Sequence, residues 1–367
     1  MRFAILLILL LPQLVGAQPL TPTWLADLGP VLNESSGLLH VGSGIWTNLD
    51  SDNDHVLYRI EPATGATLQT VVLANAANMD WEEMATDGEW LYVGDFGNNA
   101  GNRTDLCVYR FPAAALTTTA ESIVVDTIRF HYADQVDFTP AYDASNWDCE
   151  AFIARDDSLF LFTKNWLDER THLYALSALP GDHIATPRDT LDTEGLVTGA
   201  TVHPTSGAVV LLGHSVSDYV PFIWTLHDFP AHRFFDGVLE HHLITEAPLQ
   251  MEGITFDVDG TLLLSNELSA LHAPSLWRVQ LPMAVPEVNK AMDMPHTFPM
   301  PCDDHVQVQG ADAGEIARLF NTAGVLLDAS QVERDGLILL RPVPAGAYVL
   351  EVMIHTIPHR VHMIITH

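Results

Sequence analysis

Asp80-Trp-Glu-Glu-Met-Ala-Thr-Asp-Gly-Glu-Trp-Leu-Tyr-Val-Gly-Asp95 is the stretch on which the fold turns. An acid, Glu82, opens a short apolar segment. Asp87-Gly88 is a turn signal, and Leu91-Tyr-Val-Gly-Asp95 is an apolar strand ending in a polar residue. A third strand with a central aromatic follows, Cys107-Val-Tyr109-Arg-Phe111. The same three parts recur along the chain. Glu34-Ser-Ser-Gly-Leu, Glu150-Ala-Phe-Ile and Glu252-Gly-Ile-Thr repeat the acid, and Gly199-Ala-Thr-Val fills the slot without one. Strands ending in Asn48, Lys164, His214 and Asn266 repeat the second part, and strands centred on Tyr58, Tyr174, Trp224 and Trp277 the third. Acid and polar end stand 13 to 15 residues apart throughout.

Short strands with turns at such intervals predict an all-β fold, and a unit of roughly 50 residues is the size of a propeller blade. The slots at 34, 82, 150, 199 and 252 give five units, with steps of 48, 68, 49 and 53 residues. Trp24 to Gly29 would supply the strand missing from the last one. The expectation is a five-bladed β-propeller over 18–282. The alternative is six blades, with an irregular one hidden in the acidic stretch Asp134 to Asp148.

In an antiparallel hairpin the start of one strand and the end of the next lie side by side. Glu34/Asn48, Glu82/Asp95, Glu150/Lys164, His214 and Glu252/Asn266 are therefore expected to line one mouth of the central channel. Asp80 and Asp148 join them, two residues before Glu82 and Glu150 and on the same side of the strand. So many carboxylates repel unless a cation offsets them. Lys164 is one such group, and calcium is the natural ion for carboxylate and amide oxygens. Asp50-Ser-Asp52-Asn-Asp54 has the alternate-carboxylate spacing of a calcium loop, without the glycine and distal Glu of an EF-hand. The face is read as binding a glycan, peptide or small molecule. A metal-dependent hydrolase of phosphoesterase or lactonase type and a structural surface module are the alternatives. No GxSxG, HExxH, Walker loop or GxGxxG after a strand occurs.

The chain has 367 residues and a formal net charge of −31, with 16 Lys+Arg against 47 Asp+Glu. That balance argues against nucleic acid and against docking on anionic lipid. Residues 1–17 have signal-peptide anatomy: Arg2, the apolar run Ala4 to Leu11, and small residues Val15-Gly16-Ala17 before a cut at Gln18. No later stretch is apolar for 18 residues, so no transmembrane segment is expected in the mature chain. Export leaves a disulfide open to Cys107, Cys149 and Cys302, with Cys107–Cys149 the pair inside the main domain. No zinc-ligand spacing accompanies the cysteines.

Residues 283–299 read as a Pro- and Met-containing linker, and 300–367 as a small β-sandwich of short alternating strands. This last part resembles the C-terminal sorting domain of type IX secretion cargo of the Bacteroidetes. The resemblance lies in Asn321-Thr-Ala-Gly324-Val-Leu, Val343-Pro-Ala-Gly346-Ala-Tyr348-Val-Leu and the strand Val361 to Ile365. Phe298-Pro-Met-Pro-Cys302 stands where the family has Y-P-N-P, and Ile-Ile-Thr-His367 where it has a basic end. The resemblance implies passage through the periplasm, the type IX machinery as partner, and release or attachment at the cell surface. Residues 33–281 look like SdiA-regulated and NHL-like propellers, through Asp80-Trp-Glu82, Phe96-Gly-Asn98-Asn99, Asp148-Cys-Glu150 and Gln250-Met-Glu252-Gly. That likeness implies a fold and no assured reaction.

Overall fold

The computed structural model describes residues 18–42, 44–282, 297–298, 305–308, 313–321, 325–333, 336–340, 343–354 and 357–366. The expected signal peptide, most of the linker and Cys302 lie outside the described residues. The chain divides into two compact units, Met1–Leu281 and Pro282–His367.

In the first unit a strand β1 (Thr23–Asp27) precedes four sets of strands. The first set is β2 (Ser35–Val41), β3 (Gly44–Leu49), β4 (Val56–Ile60) and β5 (Thr67–Leu73). The second is β6 (Trp81–Thr86), β7 (Trp90–Asp95), β8 (Cys107–Pro112) and, after a two-residue β9 (Ser122–Ile123), β10 (Asp126–Tyr132). The third is β11 (Asp148–Arg155), β12 (Ser158–Lys164), β13 (Arg170–Ser177) and β14 (Gly181–Asp192). The fourth is β15 (Leu196–Val202), β16 (Val209–His214), β17 (Pro221–His227) and β18 (Val238–Leu243). A fifth set contains β19 (Met251–Phe256), β20 (Leu262–Asn266) and β21 (Ser275–Val279), and β1 pairs antiparallel with β21 to complete it. Within each set consecutive strands are antiparallel neighbours. The first strands β2, β6, β11, β15 and β19 pack each against the next, and β19 against β2, closing a ring. The unit is a β-propeller. Residues 133–147 carry no strand. The outer strands β10 and β14 pair in parallel, so the second and third sets form one eight-stranded sheet.

Strands covered on both faces read as continuous apolar runs such as Leu159-Phe-Leu-Phe162. Four of the facing pairs of sheets have their own cores. Trp46, Leu57, Trp81 and Phe111 lie between the first and second, Tyr92, Phe130, Phe152 and Tyr174 between the second and third, and Phe160, Phe162, Leu211 and Trp224 between the third and fourth. Leu38, Ile45, Leu263 and Leu276 join the first and fifth. The β11–β12 hairpin turns on Asp156 (φ 49°) and Asp157 (φ 57°), the left-handed pair that matches strand twist. Cys107 and Cys149 are buried free thiols, so the disulfide weighed for them does not form.

In the second unit β22 (Thr297–Phe298), β23 (His305–Val308) and β26 (Leu337–Leu339) make one sheet. β24 (Ile316–Asn321), β25 (Leu326–Gln331), β27 (Gly346–Ile354) and β28 (Ile357–Ile365) make another. Val306, Val308 and Ile338 of the first share one core with Leu319, Leu350, Val352, Met363 and Ile365 of the second. No helix among the described residues is long and apolar enough to cross a membrane.

Candidate functional site: an acidic mouth on the propeller axis

Each of the five inner strands carries a β-bulge at the same register, set by the interruptions Ser35/Leu38, Trp81/Met84, Cys149/Ala151, Val197/Gly199 and Met251/Gly253. The extra residue shifts which side chains reach the axis. Equivalent bulge residues are Ser36, Glu82, Glu150, Thr198 and Glu252. The acid slot expected at Glu34 is therefore filled by Ser36, and the one expected at Gly199 by Thr198. Glu34 is exposed and accepts a bond from Asn53 Nδ2 at 2.6 Å. Ser36 and Thr198 donate to backbone carbonyls of the adjoining sheet, Glu82 and Met251, each at 2.6 Å.

The residues after the bulge are Gly37, Glu83, Ala151, Gly199 and Gly253. Strands approach so closely here that a Cβ at Gly37 would lie 2.8 Å from Met84 N, and one at Gly253 2.6 Å from Ser36 O. Glu83 alone is large, and it is fully buried. Its Oε1 accepts from Met84 N at 2.8 Å and Leu38 N at 3.3 Å, and its Oε2 from Ala200 N at 3.1 Å. The second and fourth sheets are not neighbours in the ring, so the bond to Ala200 crosses the axis and plugs the channel.

On one side of this plug lies a pocket of about 190 Å³ lined by Asp50, Glu82, Glu150, Lys164, Glu252 and Glu267, with Ser36, Asn99, Asp143, Trp166 and Gln250. Lys164 Nζ is 2.5 Å from Glu150 Oε1 and 5.2 Å from the Trp166 ring centre. Gln250 Nε2 donates to Glu252 Oε1 at 3.0 Å and Glu267 Oε2 at 2.9 Å. Asp50, Asp80 and Glu82 bring carboxylate oxygens within 4.8 Å of one another. Oxygens held around one calcium at 2.3–2.6 Å span at most about 5 Å, so this trio fits a hard dication. Gly97 leaves them room: a Cβ there would sit 2.0 Å from Glu82 Oε1.

The electrostatics follow from crowding. Burial, and then the Asp50 and Asp148 charges, push Asp80 up to about 7. Burial, and then Glu252 and Asp50, push Glu267 up to about 9. Burial raises Glu82 well above the usual carboxylate range, with Asp50 and Glu150 adding to it. Glu150 is likewise raised by burial against the opposing pull of Lys164. Burial on its own would lower Lys164, but Glu150, Glu252 and Asp148 hold it well above its ordinary value. Two carboxylates 4 Å apart repel by about 4 kcal/mol at an effective dielectric of ~20. One ammonium among six lining acids leaves the mouth short of positive charge.

Other expected site residues sit elsewhere. Asn48 turns aside to donate to Trp81 O at 3.2 Å. Asn266 bonds Trp277 Nε1 at 2.7 Å and the carbonyls of Glu267 and Ala273. Asp95 pairs with Arg103 at 2.9 Å and accepts from Asp80 N at 3.1 Å. These three hold loops and neighbouring backbone, because the bulge aims them away from the axis. Asp148 is a buried cap for Asn98 N (2.7 Å) and Trp166 Nε1 (3.1 Å). His214 is buried and stacked on Tyr219 at 4.8 Å, with Nδ1 on Ser215 O. Burial, and then Lys164, lower it to about 4. Asp52 and Asp54 are exposed, while Asp50 lies with Asp80 and Glu82. Sequence reasoning missed Ser36, Thr198, Gln250, Glu267 and Glu83. The signal was the small residue after the bulge, in Ser36-Gly37, Thr198-Gly199 and Glu252-Gly253.

No family model and no curated protein matches the chain. Among solved structures it is similar to PorZ, a surface component of the type-IX secretion system of Porphyromonas gingivalis, at 13% identity over 91% of this chain and 45% of that one, TM-score 0.35. It is also similar to the extracellular domain of the putative one-component system BT4673 of B. thetaiotaomicron (9% identity, 91% and 57%, TM-score 0.33). A third is a GH43_1 enzyme from Xanthomonas citri (14% identity, 69% and 89%, TM-score 0.41). The chain thus spans less than half the length of PorZ.

Proposed function

We propose that the chain is a secreted or cell-surface five-bladed β-propeller that binds calcium, and through it a small polar ligand, in the acidic mouth of its channel. The carrying observation is the trio Asp50, Asp80 and Glu82, oxygens within 4.8 Å, beside a pocket whose one cation, Lys164, is already paired with Glu150. The pocket, at about 190 Å³, is smaller than the 300–1,000 Å³ usual for organic ligands. That supports an ion with a small ligand over a glycan. The C-terminal unit is read as a β-sandwich that directs type IX export.

The test is calcium titration of the mature full-length chain by calorimetry and thermal unfolding. Calcium is expected to raise the melting temperature by several degrees, EGTA to reverse the rise, and Asp80→Asn with Glu82→Gln to abolish it. An unchanged melting temperature at millimolar calcium refutes the reading. Export is tested separately, by removing residues 300–367 and finding the propeller retained in the periplasm.

A further inference from the structure

Beyond the Glu83 plug the channel opens again at its other end. The closing halves of the five inner strands surround a cavity of about 520 Å³, within the range of organic-ligand sites. Its wall is largely apolar, with Leu39, Met84, Phe152, Ala154, Val202 and Phe256. Among its polar groups Arg155 and His203 lie beside one turn, His203 to Gly207, closed by Gly207 N on His203 O at 3.0 Å, while Thr86, Thr201 and Thr255 add hydroxyls. His203 Nδ1 accepts from Ser206 N at 3.1 Å. The proton of the neutral ring therefore sits on Nε2, which is a donor. Burial lowers the His203 pKa, keeping that neutral form. Arg155 Nη1 donates to Gly207 O at 3.3 Å, and its Nε lies 3.7 Å from Asp156 Oδ2. Arg155 Nη2 has no hydrogen-bond partner among the described residues.

The rim acids already have partners, Arg155 itself among those of Asp156. Asp87 accepts from Glu89 N, Trp90 N and Tyr92 Oη at 2.9, 2.7 and 2.9 Å. Asp156 is bonded to His232 at 2.8 Å. His40, also on the wall, faces Asp257 at 3.6 Å. What this mouth offers is a largely apolar floor with the Arg155 and His203 donors beside it, in contrast to the acidic mouth.

We propose that this second mouth binds an apolar, flat small molecule carrying one carboxylate, its carbon body against Met84, Phe152 and Phe256 and its carboxylate on Arg155 Nη2 and His203 Nε2–H. This site is independent of the calcium reading. The probe is 2-naphthoate, with uncharged 2-naphthalenemethanol as control, titrated by fluorescence into the mature full-length chain. Saturable one-to-one binding of naphthoate is expected, clearly tighter than the alcohol. Arg155→Met is expected to weaken naphthoate about tenfold, the worth of one charged hydrogen bond, and to leave the alcohol unchanged. Ala154→Trp fills the cavity and abolishes both. Arg155 lies at the rim, so its variant remains a test where Ala154→Trp fails to fold. Equal binding of acid and alcohol, undiminished naphthoate binding in Arg155→Met, or no binding at millimolar probe overturns the proposal.

Discussion

Glu83 invites the sharpest perturbation, because one side chain satisfies three buried backbone donors on three strands of the ring. Glu83→Ala orphans Leu38 N, Met84 N and Ala200 N where strand contact leaves little space. Each unsatisfied buried donor costs about 1–3 kcal/mol. Removing a buried carboxylate returns part of that, so the net loss is about 3–5 kcal/mol. For a unit of this size ~1 kcal/mol moves the melting temperature by about 2–4 °C, so the variant is expected to melt roughly 10 °C lower. Glu83→Gln separates the contributions. Its amide oxygen keeps the two bonds of Oε1, while its NH₂ faces the Ala200 N–H and forfeits the bond across the axis. About 1–3 kcal/mol is lost, placing it between wild type and alanine. Thermal unfolding by circular dichroism measures both, and amide exchange at Leu38 and Ala200 localises the effect. An alanine variant that melts within a degree of wild type, or a glutamine variant as weak as alanine, refutes the plug.

Lys164→Met leaves Glu150 and Glu252 buried without their counter-charge and is expected to cost about 3–5 kcal/mol in calcium-free buffer, read by chemical denaturation. Glu267 is raised to about 9 by burial and then by its acidic neighbours. The folded chain thus holds a proton there that the unfolded chain releases near the ordinary 4.5. Stability without calcium is therefore expected to fall as pH rises from about 4.5 to 9, and in Glu267→Gln that slope is shallower in a melting series. Gly97→Ala pushes a methyl against Glu82 Oε1 and the Asp80 carboxyl and is expected to weaken calcium at least tenfold in calorimetry while barely changing far-ultraviolet dichroism.

The all-β repeat was legible because each unit writes its strands as apolar runs with a turn between, and those runs survive divergence when both faces are covered. Asp80, Glu82, Glu150, Lys164 and Glu252 were legible for the same reason, since each stands beside such a run. What could not be read was the bulge. One extra residue per inner strand leaves composition and spacing untouched, yet rotates every side chain before it. Hence Asn48, Asp95 and Asn266, polar residues at the ends of their strands, bond neighbouring backbone and side chains and are not in the pocket lining. Glu267, one position beyond Asn266, and Gln250, two before Glu252, line the pocket in their place. The DSDND loop is a different case. Alternate acids in an extended loop give no guarantee of convergence, and only Asp50 turns toward the axis.

The bulge also explains why the mouth is lopsided. With glutamates at three of five equivalent positions and hydroxyls at Ser36 and Thr198, the acids gather on the second, third and fifth sheets. Opposite the residue two before the bulge in the first, third, fourth and fifth sheets stand Asp50, Lys164, His214 and Glu267. At these positions the fourth sheet thus has a buried neutral imidazole and a hydroxyl, where each of the others has at least one acid. A symmetric ring of five carboxylates would place an ion on the axis. On the proposed calcium reading, this ring would draw the ion toward Asp50, Asp80 and Glu82, with Lys164 the one cation lining the pocket. On that reading a ligand bridging the two carries an oxyanion toward the ion and the lysine, and the asymmetry, more than the acidity, would be the feature that selects it.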